Sequence, residues 1–254
     1  MSTDKNSIDW YNANARDYTA DSSSSPYHQF YEKPAMYGLI PDIKGNTVLS
    51  LGCGAGTDSA YLKSLGADKS VGIDISSEQI KLAKEVHPEC EFKVMDMEHL
   101  DFSDSTFDFA YSSLAIHYIE DWTTVFKEVY RVLKPNSYFL FSCGHPVKYA
   151  MDGANTDTDW VNKLELVKNK ETKEYKITGD YVARKKLPDG FGKNTITCWR
   201  KSYAEISAEI HSSGFLIEQI IDPMPTEGMK SEFPEKYKKL TKLPEFTIFR
   251  LLKK

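Results

Sequence analysis

The feature that most constrains this chain is a glycine-rich turn directly after a short apolar run. The run at 47–51 is rich in β-prone residues, and Gly52, Gly54 and Gly56 follow at alternate positions. A helical pattern begins next, so the segment predicts a strand, a tight turn and a helix N-terminus. Glycine permits the sharp turn, and the helix end presents unpaired N–H groups with a partial positive charge. Such a turn is typical of the nucleotide-binding crevice of an open α/β sheet.

The chain after this turn alternates between β-prone and helical patterns. Strands are predicted at 47–51, 70–74, 91–96, 107–112 and 138–143. Between them, one helix is predicted to end at about 65, and two others to span 77–86 and 122–133. A helix at 203–211, a strand at 215–221, a short helix at 235–240 and a final strand at 246–251 complete the pattern. Strands separated by helices indicate right-handed βαβ units and a parallel sheet.

Two segments depart from this alternation. Residues 1–44 form a predicted helical cap, with helical patterns at 8–19 and 27–40, a serine-rich break at 21–26 and an interruption at Pro34. Residues 145–199 form a predicted insert, which is longer than an ordinary connection and has strand-like runs at 174–178 and 195–199. We therefore expect a single domain over 1–254 that carries a helical N-terminal cap and a β-rich insert.

Composition limits the kinds of binding partner and the cellular location that we expect. The 254 residues carry a formal net charge of −5 without a basic block, which argues against a nucleic-acid substrate. The four cysteines lie far apart and lack metal-ligand spacing, so reduced thiols and no metal site are expected. The sequence shows neither a signal-peptide core nor a membrane-length apolar run, so a cytoplasmic location without membrane association is expected.

The spacing of the turn separates two classes of nucleotide ligand. Asp74 ends the predicted second strand, where a carboxylate can accept two hydrogen bonds from a ribose diol. A dinucleotide site usually has a GxGxxG pattern, because the diphosphate packs on the helix N-terminus. Here the third glycine comes one residue earlier, which favours a nucleoside ligand without phosphate.

Together these segments resemble the class I S-adenosylmethionine-dependent methyltransferases, in particular the type 11-like group that acts on small molecules. The matching segments are 48–62, 71–76, 94–121 and 128–142, and residues 11–18 resemble the entry helix of these enzymes. The resemblance implies an α/β, Rossmann-like sheet of seven strands, mostly parallel, in the order 3-2-1-4-5-7-6 with the last strand antiparallel and helices on both faces.

The resemblance also implies the residues of a site for S-adenosyl-L-methionine. The glycines would lie under the methionine and ribose portions, Asp74 would hold the ribose hydroxyls, and Asp96 would accept from the adenine amine. The full implied set is Tyr11, Tyr18, Gly52, Cys53, Gly54, Gly56, Asp74, Ile75, Asp96, Met97 and Ser112, with Ser113 nearby. For the two tyrosines, simple aromatic packing is the alternative.

Two positions depart from the family pattern. Ser50 stands where the family usually carries an acidic residue, and a serine cannot supply a negative charge near the cofactor's ammonium group. The turn before the fifth strand reads Pro135-Asn136-Ser137 instead of Pro-Gly-Gly. Asparagine tolerates a positive φ, so we expect this turn to be preserved.

Histidines are the candidate bases, since imidazole titrates near neutral pH. His117 follows the predicted fourth strand, and His145 follows the fifth. Our hypothesis places His117 beside the transferred methyl group and His145 on the substrate side, with packing roles as the alternatives. A base is required only if the acceptor must lose a proton during attack.

The acceptor pocket is predicted to form between the N-terminal helices and the insert. Its candidate residues are Tyr27, His28, Tyr31, Tyr149 and Trp199, with Trp160 and Tyr181 as further aromatic side chains. An aromatic wall suits a planar or apolar small molecule. The alternative is that these aromatic residues form the small core of the insert itself.

Three functions are compatible with this pattern. The first is methyl transfer to a small-molecule acceptor by direct displacement. The second is a non-catalytic module that binds S-adenosylmethionine, and the third is an NAD-dependent oxidoreductase, which the glycine spacing and Asp96 disfavour. The identity of the acceptor, its attacking atom and the choice between monomer and homodimer stay open.

Overall fold

The fold is organised around one mixed sheet of seven strands, as seen in a computed structural model that describes residues 5–152, 164–188 and 196–254. The strands of this sheet are β1 (Thr47–Leu51), β2 (Lys69–Asp74), β3 (Glu91–Val94), β4 (Phe107–Ser112), β5 (Leu133–Gly144), β10 (Leu216–Ile221) and β11 (Phe246–Leu252). Their order is β10-β11-β5-β4-β1-β2-β3. The five strands from β5 to β3 are parallel, and β11 runs antiparallel to both β5 and β10. The predicted order and the antiparallel last strand are therefore confirmed.

Helices cover both faces of this sheet. The helices are α1 (Lys5–Ala13), α2 (Ala15–Ser24), α3 (Lys33–Tyr37), α4 (Thr57–Ser64), α5 (Ser77–Val86), α6 (Trp122–Val132), α7 (Pro146–Asp152), α8 (Tyr203–Ser212), α9 (Glu227–Glu232) and α10 (Pro234–Leu240). One core layer joins α6 and α8 to the sheet, and a second joins α3 and α4 to its other face. Every helix in the described ranges is too short or too polar to cross a bilayer.

Alternation along the central strands explains why both faces are apolar. In β1, Leu49 and Leu51 belong to the layer of α6, whereas Val48 belongs to the layer of α3 and α4. Successive side chains of a strand point to opposite faces, so a strand covered on both sides is apolar throughout. Ser50 is the exception in β1, and it lies on the same face as Val48, the face covered by α3.

The helices of the N-terminal cap are interrupted at other positions than the sequence predicts. Helix α2 continues through the serine-rich run as far as Ser24, and the break comes at Ser25. The chain then forms a π-helical turn, His28–Glu32, that leads directly into α3. Pro34 lies in the first turn of α3, where its missing N–H costs no hydrogen bond, so it does not interrupt the helix.

The insert contains more regular structure than its sequence predicts. Two antiparallel hairpins are present, β6 (Glu165–Lys168) with β7 (Tyr175–Thr178), and β8 (Lys185–Pro188) with β9 (Thr197–Arg200). Only β7 and β9 were predicted, because β6 and β8 are too polar to show a strand pattern. Part of the predicted strand at 195–199 and Trp160 lie outside the described residues. Strand β5 also begins earlier than predicted and includes Asn136, whose φ of 63° preserves the expected bend.

Candidate functional site

Two open clefts flank the glycine turn at the carboxyl ends of the parallel strands. The first is a cleft of about 750 Å³ and the second a cleft of about 1020 Å³. They share four residues, Tyr18, Gly52, Gly54 and Ser113. The first cleft brings together eight of the residues predicted for the cofactor, Tyr11, Tyr18, Gly52, Gly54, Asp74, Ile75, Asp96 and Met97.

The three glycines of the turn have different roles. All three have positive φ, at 61° for Gly52, 53° for Gly54 and 86° for Gly56. A side chain at Gly52 would place its Cβ 2.4 Å from the Cβ of Ala115, so glycine lets the loop after β4 approach the turn. A side chain at Gly56 would meet the ring of Phe92 at 2.6 Å, and Gly56 lines neither cleft. The structure therefore places Gly56 in the packing of the sheet rather than beside a ligand.

Asp74 is held rigidly at the edge of the first cleft. Its Oδ2 accepts from the backbone N–H of Gly54 at 2.9 Å, and its Oδ1 accepts from that of Ser76 at 2.8 Å. Burial raises the pKa of Asp74, and these backbone hydrogen bonds oppose that shift. The carboxylate oxygens keep further lone pairs, so they can accept from a ligand diol.

Asp96 has a buried carboxylate oxygen without a donor among the described residues. Its Oδ1 accepts from the backbone N–H of Glu98 at 2.9 Å. Its Oδ2 is buried, and no donor in the described ranges reaches it. Buried carboxylate oxygens are normally hydrogen-bonded, so this atom points to a ligand donor in the first cleft.

Aromatic side chains from the N-terminal cap cover the first cleft. The rings of Tyr11 and Tyr18 pack edge to face with centroids 5.0 Å apart, and Tyr11 contacts the ring of Tyr118 at 5.8 Å. Trp10 packs against both Tyr11 and Tyr18 from outside. These contacts join α1 and α2 to the loop after β4, so rings of the cap cover one side of the open cleft.

The loop after β4 supplies Ser113, which the sequence indicated, and further residues that it did not. Leu114, Ala115 and Tyr118 also line the first cleft, together with Gln79 of α5. Ser112, the predicted serine, is buried and lines neither cleft, because it precedes Ser113 by one residue on a strand and faces the opposite way. Leu114 has a φ of 49°, which is unusual for a side chain that branches beyond Cβ and marks the sharp turn of this loop.

The second cleft lies between the glycine turn and the π-helical turn. It is lined by Cys53 and by His28, Lys33, Tyr37 and Asp58 among others. Asp58 accepts from Lys33 Nζ at 2.9 Å and from the Tyr37 hydroxyl at 2.6 Å. The negative charge of Asp58 is therefore balanced inside the protein.

The predicted catalytic histidines do not line either cleft. His117 lies in the short 3₁₀ turn Ile116–Tyr118 and is 5% exposed, with its ring 4.5 Å from that of Tyr118. His145 follows β5, and its Nε2 lies 3.4 Å from the carboxylate of Asp222. Burial lowers the pKa of His145, and Asp222 opposes that shift. Of the histidines predicted to act on the acceptor, only His28 lines a cleft.

The predicted acceptor residues are dispersed. Tyr27 and Tyr31 pack in a separate cluster with Phe246, and the Tyr31 hydroxyl accepts from the backbone N–H of Glu245 at 3.0 Å. Tyr149 packs against Gly144, whereas Trp199 lies in β9 with Lys186 Nζ 6.0 Å from its ring. The Tyr181 hydroxyl accepts from the N–H of Tyr203 and so ties the insert to α8. These contacts favour structural roles, and of the acceptor set only His28 lines a described cleft.

The residues present fit S-adenosylmethionine. Asp96 has a buried oxygen that needs a donor, Asp74 is an oriented carboxylate, and Gly52 and Gly54 leave the cleft floor without side chains. Ile75 and Met97 add apolar surface to the same cleft. This set of acceptors matches the amine of an adenine ring and the hydroxyls of a ribose diol.

Comparison with known proteins bears on the same residues. Residues 49–141 match the family of methyltransferase domains. A malonyl-[acyl-carrier protein] O-methyltransferase from Erwinia billingiae is 34% identical over 99 residues, which span 39% of this chain and 39% of that protein. The family match at 49–141 includes the glycine turn.

Solved structures extend the similarity over most of the chain. An S-adenosylmethionine-dependent methyltransferase from Mesorhizobium loti has a TM-score of 0.72 at 24% identity, covering 91% of this chain and 99% of that chain, which shows a shared fold. A structure from Listeria monocytogenes, described as a candidate methyltransferase of the same kind, has a TM-score of 0.71 at 27% identity. That match covers 88% of this chain and 96% of the other.

Proposed function

We propose that this chain, which carries an S-adenosylmethionine-dependent methyltransferase domain, transfers a methyl group to a small-molecule acceptor. The observation that carries the proposal is the junction of the two clefts at Gly52, Gly54 and Ser113. The first cleft has the groups that suit the cofactor, and the second lies directly beside it. A concave cleft lined by a few polar side chains, among them His28, Tyr37 and Asp58, is the usual form of a small-molecule site.

The residues of the chain contribute mainly by positioning. When bound, S-adenosylmethionine supplies a methyl carbon attached to a positively charged sulfur, which is already activated for displacement. Asp74 and Asp96 fix the nucleoside half, and the rings of Tyr11, Tyr18 and Tyr118 cover one side of the open cleft. Holding two reactants in line lowers the entropic part of the barrier without a covalent intermediate.

A proton acceptor is needed if the acceptor molecule attacks through an O–H or N–H group. His28 is the candidate with the better placement, since it lines the second cleft with a side chain that is 13% exposed. His117 and His145 stay hypotheses, and either would need an acceptor that reaches beyond the described cleft linings. The general base is therefore proposed to be His28, with His117 next because its neighbour Tyr118 lines the first cleft.

Fractionated metabolites test the proposed function. The purified protein is incubated with S-adenosylmethionine labelled in the methyl group, together with either the low-molecular-mass fraction or the macromolecular fraction of a cell extract. We expect label in a product of the low-molecular-mass fraction and formation of S-adenosylhomocysteine in equal amount. Label confined to the macromolecular fraction contradicts the small-molecule assignment. Tight cofactor binding without any labelled product favours the non-catalytic binding module instead.

A further inference from the structure

Glu32 is a fully buried carboxylate at the junction of the two clefts. It is the last residue of the π-helical turn, and its side chain has no exposed surface. Its Oε1 accepts from the hydroxyls of Ser113 at 2.9 Å and Ser142 at 2.5 Å. Its Oε2 has no hydrogen-bond donor among the residues that the structure describes. A buried charge with an unsatisfied oxygen is costly, which points to a cation nearby in the loaded protein.

The direction of the Ser113 hydrogen bond determines what this serine can offer a ligand. A hydroxyl has one proton to donate and two lone pairs to accept with. The Ser113 proton is committed to Glu32, and Ser113 lines both clefts. Ser113 can therefore only accept from a ligand, and the carboxylate behind it favours a positively charged donor.

The position of Glu32 coincides with the face of Ser50. Ser142 follows Leu140 by two residues on β5, as Ser50 follows Val48 on β1, and both Val48 and Leu140 belong to the core layer beside α3. Glu32 hydrogen-bonds to Ser142, so its carboxylate enters on this same face of the sheet. Glu32 thus brings a negative charge to the side of the sheet on which Ser50 provides none.

The other charged side chains near Glu32 have a partner or lie too far away to be its hydrogen-bond partner. Asp58 is paired with Lys33 at 2.9 Å. His28 Nδ1 lies 3.9 Å from Glu32 Oε2, which is too long for a hydrogen bond. Asp74 and Asp96 are held by backbone N–H groups in the first cleft, whereas Glu32 is the buried carboxylate that is hydrogen-bonded to Ser113, a residue shared by both clefts.

We propose that Glu32, acting through Ser113, binds the α-ammonium group of S-adenosylmethionine. The inference rests on the proposed function, since it assumes that the chain uses this cofactor. Ser113 makes the contact, and Glu32 is a positioning residue that orients the hydroxyl and supplies the charge. The π-helical turn serves this role, because it directs Glu32 towards the sheet.

Binding of three related ligands tests this assignment by calorimetry. S-adenosylmethionine and S-adenosylhomocysteine carry the ammonium group, whereas 5′-methylthioadenosine keeps the nucleoside and lacks the amino acid. For E32Q we expect the Kd of the first two to rise about tenfold, the typical effect of losing a charge-assisted hydrogen bond. The Kd of 5′-methylthioadenosine should change by less than about twofold. Ser113→Ala should act in the same direction, and the exposed Glu227→Gln should change none of them.

Each contrary result has a distinct meaning. Equal weakening of all three ligands by E32Q would assign Glu32 a purely structural role and overturn the proposal, as would unchanged affinity for all three. Failure of the unmodified protein to bind S-adenosylhomocysteine would instead overturn the proposed function. If E32Q does not fold, Ser113→Ala decides alone, because Glu32 keeps its hydrogen bond from Ser142 in that variant.

Discussion

The carboxylate of Asp74 accepts a hydrogen bond from the backbone N–H of Gly54 at 2.9 Å, which joins the end of β2 to the glycine turn after β1. The other carboxylate oxygen accepts from the N–H of Ser76, whose hydroxyl caps α5 by accepting from Gln79. One side chain thus fixes the floor of the first cleft and the start of the neighbouring helix. These hydrogen bonds orient the Asp74 carboxylate at the edge of the first cleft.

Asp74→Ala should weaken binding and stability together. It removes the proposed ribose acceptor and leaves two backbone N–H groups without their partner, each worth about 1–3 kcal/mol. We expect the Kd of S-adenosylhomocysteine to rise by at least about tenfold, measured by calorimetry, with a lower midpoint of thermal unfolding. Asp108→Ala is the matched control, since Asp108 accepts from the N–H of Thr47 at the opposite end of β1. Equal loss of affinity in both variants would contradict the assigned site.

Gly52→Ala should destabilise the fold both by a steric clash of the new Cβ and by the left-handed backbone conformation, and a control variant can separate the two effects. The new Cβ would lie 2.4 Å from that of Ala115, and φ is 61°. Gly45→Ala is the control, because φ there is 76° with nothing within 4 Å, so it measures the left-handed penalty of about 1–2 kcal/mol alone. We expect Gly52→Ala to lose more free energy of unfolding than Gly45→Ala, and Ala115→Gly to restore part of the difference. Equal losses in denaturant titrations would exclude the close approach.

Asp96→Asn should weaken ligand binding without lowering the stability of the fold. The buried Oδ2 has no donor among the described residues, so replacing it removes an unsatisfied charge from the apo protein. We expect an unchanged or higher midpoint of thermal unfolding. Affinity for S-adenosylhomocysteine and for 5′-methylthioadenosine should fall to a similar extent, because both carry adenine. Retained affinity for both ligands would show that Asp96 does not contact the adenine amine.

The central sheet and the grouping of Gly52, Asp74 and Asp96 in one cleft follow from sequence patterns, for identifiable reasons. Apolar runs ended by Gly52 or Asp74 fix strand ends, and a parallel sheet places all such ends at one edge. That rule brings Asp74 and Asp96 into one cleft with Gly52. Side chains alternate along a strand, so Ser113 faces the same side as Tyr111 and Ser112 faces the other side. Strict alternation from Tyr111 would therefore have favoured Ser113 over Ser112 as the cleft residue.

The acceptor half does not follow from sequence, because it depends on packing between distant segments. Tyr31 is an aromatic residue of the kind that lines pockets, yet its ring is fully buried and its hydroxyl accepts a hydrogen bond from the backbone N–H of Glu245. His145 follows a strand end, but it lies outside both described clefts, with its Nε2 3.4 Å from the carboxylate of Asp222. Glu32 was not singled out, since nothing local indicates a π-helical turn or a buried carboxylate.

The Glu128–Arg131 pair should give a measurable pH dependence of stability. Glu128 accepts from two Arg131 nitrogens at 2.9 and 2.8 Å and from the N–H of Leu100. These hydrogen bonds, that of Arg131 first, lower the pKa of Glu128 below its ordinary value of 4.5. A lowered pKa in the folded state adds stability above the unfolded pKa, and that stability is lost as pH falls through the folded value.

We therefore expect Glu128→Gln to be less stable than the unmodified protein by about 1–2 kcal/mol at pH 7, allowing for partial solvent exposure. The difference should shrink as the pH falls below 4.5. Chemical denaturation at a series of pH values measures it, with Glu85→Gln, an exposed partner of Arg16, as the control. A difference that stays constant down to pH 3 would argue against this linkage.

A crystal structure with S-adenosylhomocysteine bound tests the central claim most directly. The account predicts adenine between Ile75 and Met97 with its amine at Asp96 Oδ2, the ribose hydroxyls on Asp74, and the ammonium group on the Ser113 hydroxyl. The sulfur of the bound ligand should then face the second cleft and His28. Adenine found in the second cleft, or an ammonium group remote from Ser113, would contradict the account.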